Sequence, residues 1–172
     1  AKLETMDSDA IDLNTLTIEM WVNFDQIPYT NQILLEKYGQ YSLCAGDIDD
    51  RRLTLRYASD LTSWADGTLV GTTILEPNRW YYIAATYDGQ EWALYLDGKK
   101  EATRIETGTL ATGANKLTLG QSNHNTDLIS FTGKIDELRL WNEARTQQEL
   151  VEYQYGAPVS SKLVRVWSFD KG

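Results

Sequence analysis

Hydrophobic and polar residues alternate with a period of two along most of this chain. From 16 to 24, Leu-Thr-Ile-Glu-Met-Trp-Val-Asn-Phe sets Ile18, Met20, Val22 and Phe24 on one side and Glu19, Trp21 and Asn23 on the other. A strand with one buried face reads this way. Comparable runs lie at 33–36, 41–45, 52–57, 80–87, 92–96, 116–119, 131–141 and 163–169. Turn formers separate them: Tyr38-Gly39-Gln40, Gly46-Asp47, Ala65-Asp66-Gly67, Asp88-Gly89, Asp97-Gly98 and Thr112-Gly113-Ala114. Asp-Gly between two alternating runs favours a tight hairpin, because both residues tolerate positive φ. Many short strands with a turn every ten residues or so predict an all-β, two-sheet antiparallel sandwich. Ile135 and Leu138 both belong to the buried phase at a spacing that regular alternation forbids, which predicts a β-bulge between them. One helix interrupts the pattern at about 146–155. Thr146-Gln147-Gln148-Glu149 is a capping box, Leu150, Val151 and Tyr153 follow it, and Gly156 and Pro158 stop it. It is expected to pack on the sandwich edge.

At 172 residues the chain fits one domain, 1–172, with a core large enough to need no staples. It opens at Ala1 and stops at Asp170-Lys171-Gly172, and so reads as a piece of a longer multidomain protein with neighbouring domains. Lys and Arg number 16 against 25 Asp and Glu, a net charge of −9. That sign argues against nucleic acid, which is held by basic surface, and against acidic membrane surfaces. It suits solubility or cation binding. No apolar run approaches the ~20 residues of a membrane span. A single cysteine, Cys44, excludes an internal disulfide and reads as a small buried hydrophobe. A single histidine, His124, leaves no histidine-based metal site and no Ser-His-Asp or Cys-His arrangement. A phosphate-cradling glycine loop is also missing.

Three stretches resemble one family. They are Leu16-Thr-Ile-Glu-Met-Trp-Val22; Trp80-Tyr-Tyr-Ile-Ala-Ala-Thr-Tyr-Asp-Gly89 with Leu94-Tyr-Leu-Asp-Gly-Lys99; and Phe131-Thr-Gly-Lys-Ile-Asp-Glu-Leu-Arg-Leu-Trp-Asn142 ahead of a short helix. In this order they resemble a laminin G-like domain of the concanavalin A-like lectin/glucanase superfamily. Trp167-Ser-Phe-Asp170 is similar to the element that begins or ends such modules, so 163–172 is either a closing strand or the opening strand of a next repeat. The resemblance implies a jelly roll of two sheets, and it implies that Trp21, Trp141 and Trp167 lie in or against the core. Trp80 and Trp92, which begin strands, are read as structural too. It leaves the task open, because one fold hosts many.

The superfamily includes glucan hydrolases, which resemble one another in a strand motif Glu-x-Asp-x-x-Glu. Ile135-Asp136-Glu137-Leu138 does not reproduce it, so an enzyme is not expected. The resemblance does imply calcium, an ion that takes six to eight oxygen ligands. Asp136 stands where relatives tie down the N-terminal segment through a structural calcium, with Asp7 or Asp9 as partners; alternatively Asp136 only satisfies backbone donors at the bulge. A rim site would use Asp47, Asp49, Asp50 and Asp127, or these loops are simply solvated. Sugar recognition needs exposed rings that stack on apolar sugar faces beside amides and carboxylates. Trp64, in a polar loop, is the foremost such ring unless it folds over the sheet edge; Tyr29 and Tyr38 follow, with Asn123, His124 and Asn125 as polar partners. The expectation is a non-catalytic binding module, extracellular or on the cell surface, for a glycan. A protein–protein adhesion repeat is the alternative, and a glycoside hydrolase-like enzyme a more distant one.

Overall fold

The computed structural model describes residues 3–4, 11–27, 31–46, 50–58, 67–110, 112–122, 129–156 and 160–169. Along the chain the elements are β1 (Leu3–Glu4), β2 (Leu16–Phe24), β3 (Gln32–Lys37), β4 (Tyr41–Ala45), β5 (Leu53–Tyr57), β6 (Gly67–Val70), β7 (Trp80–Tyr87), β8 (Glu91–Leu96), β9 (Lys99–Ile105), β10 (Leu117–Leu119), β11 (Ile129–Ser130), β12 (Gly133–Trp141), α1 (Gln147–Glu152) and β13 (Leu163–Trp167). They form a seven-stranded sheet, ordered β1-β10-β3-β4-β5-β6 with β11 beside β3, and a six-stranded sheet, ordered β13-β12-β2-β7-β8-β9. Pairing is antiparallel except between β11 and β3. This is the two-sheet jelly-roll sandwich that the alternation predicts.

The core lies between the sheets. Ile18, Met20, Val22 and Phe24 of β2 are fully buried there with Leu43, Leu55, Ile83 and Leu94. Trp92 is sandwiched between Tyr57 and Tyr87, with both ring centroids 4.7 Å away. Predicted strand bounds at 16–24, 41–45 and 80–87 coincide with β2, β4 and β7. The Asp97-Gly98 hairpin also forms, with φ of 49° and 74° at its two turn residues. The alternation does not reveal β9, whose sequence is Lys-Lys-Glu-Ala-Thr-Arg-Ile. Its exposed charges are what an edge strand uses to discourage pairing with another chain, so it lacks the half-apolar signature. Cys44 is buried and donates to the Thr54 carbonyl at 3.5 Å.

The bulge falls where the spacing of Ile135 and Leu138 requires it. Asp136 pairs with Trp21, and the next paired residue, Arg139, with Glu19. The two strands therefore differ by one residue, and Glu137 takes up the difference at φ 49°. The helix has its capping box: Glu149 N–H donates to Thr146 Oγ1 at 3.3 Å, and Thr146 N–H donates to Glu149 Oε2 at 2.8 Å. Its position differs from expectation. Instead of sitting at the sandwich edge it lies on the outer face of the six-stranded sheet, where Leu150 is buried with Tyr82, Ala84, Ala93 and Tyr95.

Candidate functional site

The outer face of the six-stranded sheet carries Glu19, Trp21 and Asn23 from β2, because the opposite phase of that strand faces the core. Under α1 this surface is buried and charged. Glu19 is completely covered. Its carboxylate accepts from Tyr82 Oη at 2.6 Å, Trp141 Nε1 at 3.1 Å, and Arg139 and Arg145 Nη1 at 3.2 Å each. Burial, and after it the Glu19 charge, pushes the Tyr82 phenol well above its usual range. Burial opposes the charge of Arg139, but its bonds to Glu137 and Glu19 outweigh that and hold its pKa above the ordinary value. The covered charges are thus paired with one another, which is the condition for keeping them out of water, although the Nε atoms of Arg139 and Arg145 are buried without a hydrogen-bond partner among the described residues. Arg139 Nη1 also donates to the Tyr153 carbonyl at 3.0 Å, and Trp21 Nε1 to the Gln154 carbonyl at 2.9 Å. These two bonds pin the chain as it leaves α1 and present Tyr155 at the helix margin.

Beyond Tyr155 the same face is, among the described residues, open and aromatic. Trp21 is half-buried, with Tyr82 tilted against it and Tyr155 stacked on it, each at 5.4 Å between centroids. Tyr155 is 81% exposed and Trp80 42%. Trp21, Trp80, Asp136 and Tyr155 line a cavity of about 300 Å³. Trp80 and Asp136 also line a second cavity of about 420 Å³, which extends past Lys134 and Phe131 to Phe169. The shared residues make the two cavities one groove. Its floor needs Gly133: a Cβ there would lie 2.1 Å from the Asn23 carbonyl oxygen and 2.7 Å from Phe131 Cζ. β13 pairs only with the Leu138–Trp141 end of β12, so among the described residues no further strand closes the groove beside Gly133 and Asp136. Asp136 Oδ1 accepts from the backbone N–H of Glu137 at 2.8 Å and of Phe169 at 3.3 Å, which fixes the carboxylate at the groove wall.

Of the candidate ligand and metal residues taken from the sequence that lie among the described residues, only Asp136 lines this groove. Tyr38 is in the β3–β4 turn, where its carbonyl accepts from Asn115 Nδ2 at 3.0 Å. Asp50 is ion-paired with Arg52 Nε at 3.0 Å. Trp64, Tyr29, Asn123, His124, Asn125, Asp7, Asp9, Asp47, Asp49 and Asp127 lie outside the described residues. Among the described residues no group of three or more His, Cys, Asp or Glu gathers as metal ligands. Asp136 Oδ1 is held by two backbone donors at the bulge, the alternative to a metal role raised by the sequence; its suggested calcium partners, Asp7 and Asp9, lie outside the described residues. Trp92 and Trp141 are buried as expected, and Trp21 and Trp167 are partly buried against the core, as the resemblance implies. Trp80, read as structural, is instead 42% exposed, and with Trp21 it occupies the outer phase of its strand, beyond the rim of the helix. The signal was present in the alternation, which sets Trp21 opposite the buried row.

A family model described as the concanavalin A-like lectin/glucanases superfamily, of the laminin G type, matches residues 2–151. Pappalysin-1 of Mus musculus is 40% identical over 82 residues, which are 44% of this chain and 5% of pappalysin-1. Among solved structures, a Bacteroides ovatus ATCC 8483 protein thought to bind carbohydrate superposes with a TM-score of 0.83 at 22% identity, over 98% of this chain and 49% of its own. The chain thus spans about half of that structure and a small part of pappalysin-1. Domain 4 of AbnA, a GH43 extracellular arabinanase from Geobacillus stearothermophilus in complex with arabinotriose, gives 0.64 at 18% identity, covering 87% and 71%. The CBM40 of Ruminococcus gnavus IT-sialidase, bound to α2,3 sialyllactose, gives 0.66 at 14%, covering 88% and 97%. These structural likenesses establish the fold, and the family match establishes membership: the chain belongs to the laminin G branch of the concanavalin A-like lectin/glucanases superfamily.

Proposed function

We propose that this chain is a non-catalytic glycan-binding module of an extracellular or cell-surface protein, and that the groove between Tyr155 and Phe169 receives the sugar. The observation that carries the reading is an exposed Trp80 beside the stacked Trp21–Tyr155 pair, with a fixed carboxylate, Asp136, on the same wall. Rings of this kind offer apolar area at low entropic cost, and a positioned carboxylate accepts from sugar hydroxyls. The arrangement is preformed, since Trp21 and Asp136 stand on paired strands and little ordering is required on binding. The AbnA domain in complex with arabinotriose and the CBM40 bound to sialyllactose lend support as relatives in fold. Glycosidic hydrolysis needs two carboxyl groups flanking one bond. Asp136 is the one carboxylate among the described residues that line the groove, which favours binding over catalysis.

A glycan array probed with the wild type and with Trp80→Ala tests this directly. The wild type retains a defined set of glycans and the variant loses them with an unchanged circular dichroism spectrum. Equal retention by both, or no retention by a folded wild type, overturns the reading.

A further inference from the structure

We infer that the Tyr155 end of the groove is a subsite for a positively charged sugar residue, one bearing a protonated amine. This deepens the glycan reading and rests on it. The smaller cavity is lined by three aromatic rings and Asp136. The faces of Trp and Tyr rings carry negative potential and attract cations within about 6 Å of their centroids. Asp136 adds a full negative charge, anchored by two backbone N–H groups. No cationic side chain among the described residues lines this cavity. Lys134 lines the larger cavity, which Asp136 and Trp80 also border, but not this one; Arg139 is covered and committed to Glu19 and Glu137. Glu137, the other carboxylate next to Asp136 in sequence, is taken up by that pair. An ammonium group entering here meets a carboxylate with no ion pair to a described cation and three aromatic rings. A carboxylated sugar meets repulsion from both. The net charge of −9 acts in the same direction during encounter.

The test is calorimetric titration with two β-1,4 oligomers of equal length, a glucosamine pentamer and cellopentaose, at about pH 5.5 and low salt. The amine is protonated under these conditions, and the expected preference for the glucosamine pentamer is about tenfold. The same protein at about pH 8.5, where the amine is neutral, loses the preference. Asp136→Asn at pH 5.5 also loses it, weakening the glucosamine pentamer about tenfold more than cellopentaose. Equal or tighter binding of cellopentaose at pH 5.5, or a preference unaltered at pH 8.5, overturns this inference and leaves the glycan reading standing. A folded protein that binds neither pentamer and nothing on the array overturns both. The pH arm needs no substitution, so it remains decisive if Asp136→Asn fails to fold.

Discussion

Glu19 and Trp21 stand two residues apart on β2, on the same side of the sheet, and their surroundings differ completely. Glu19 lies beneath α1, where two guanidinium groups, a phenol and an indole N–H satisfy it. Trp21 lies just past the helix, between Tyr82 and a Tyr155 that is mostly in water. The difference comes from one short helix and its last turn. Where α1 covers the sheet, a polar residue must bring every partner with it, because an orphaned charge out of water costs several kcal/mol. Where the cover ends, an aromatic residue can stay half-exposed and available. One face therefore holds a structural region and a binding region, and substitutions in the two should separate stability from binding.

The largest effect is expected at Glu19. Glu19→Ala leaves Arg139 and Arg145 buried without their shared carboxylate, and urea unfolding should show a loss of ~3–5 kcal/mol. A loss below about 1 kcal/mol would mean that the covered half is not held by its charges. On the open half the pattern reverses. Trp80→Ala should cost less than about 1 kcal/mol of stability while weakening glycan binding about tenfold or more; a variant that unfolds readily would return Trp80 to a structural role.

A subtler separation comes from acid. The backbone N–H and then the hydroxyl of Thr146 hold the Glu149 carboxyl below its usual range. The unfolded chain therefore takes up this proton first. The stabilising contribution is complete above the ordinary glutamate range and disappears as pH falls through the lower, folded value. Hydrogen exchange at 147–152 should accelerate on acidification before that of β2 and β7. Thr146→Ala should loosen the same residues at neutral pH by ~1 kcal/mol. Uniform acceleration across sheet and helix would show that the cap does not act locally. The smallest effect is expected at Tyr155, which contributes to the groove from its outer margin: Tyr155→Ala should leave stability within about 0.5 kcal/mol and weaken glycan binding only about threefold.

The architecture was legible because alternation is a property of individual strands. Ile18, Met20, Val22 and Phe24 mark their face without knowledge of any partner, and Ile135 with Leu138 disclose the bulge by spacing alone. The capping box at Thr146 and Glu149 likewise marks a helix start from local chemistry. Where that helix would dock was not legible, because it depends on Leu150 meeting Tyr82, Ala93 and Tyr95 across the sheet. Glu19, on the phase opposite the buried row, consequently reads as solvated, and that reading inverts once the helix is in place; Trp21, on the same phase, stays half-buried against the small cluster under the helix. Trp80 is hidden for a related reason: its strand, Trp-Tyr-Tyr-Ile-Ala-Ala-Thr-Tyr, is apolar in both phases, so sequence does not distinguish the side under α1 from the side facing water. Asp136 was singled out from the sequence, with a metal or the backbone donors of the bulge as its expected partners; the donors are there, and the rings around it are visible only in three dimensions.

The claim on which the account rests is that sugar binds against the outer-face aromatics of the six-stranded sheet. Titrating the ¹⁵N-labelled protein with a glycan recovered from the array, while following the indole N–H resonances, tests it most directly. The account predicts that the Trp80 and Trp21 signals move with ligand concentration while those of buried Trp92 and Trp141 stay in place. Movement of the Trp64 signal with Trp80 and Trp21 unmoved would contradict it and transfer recognition to the loops.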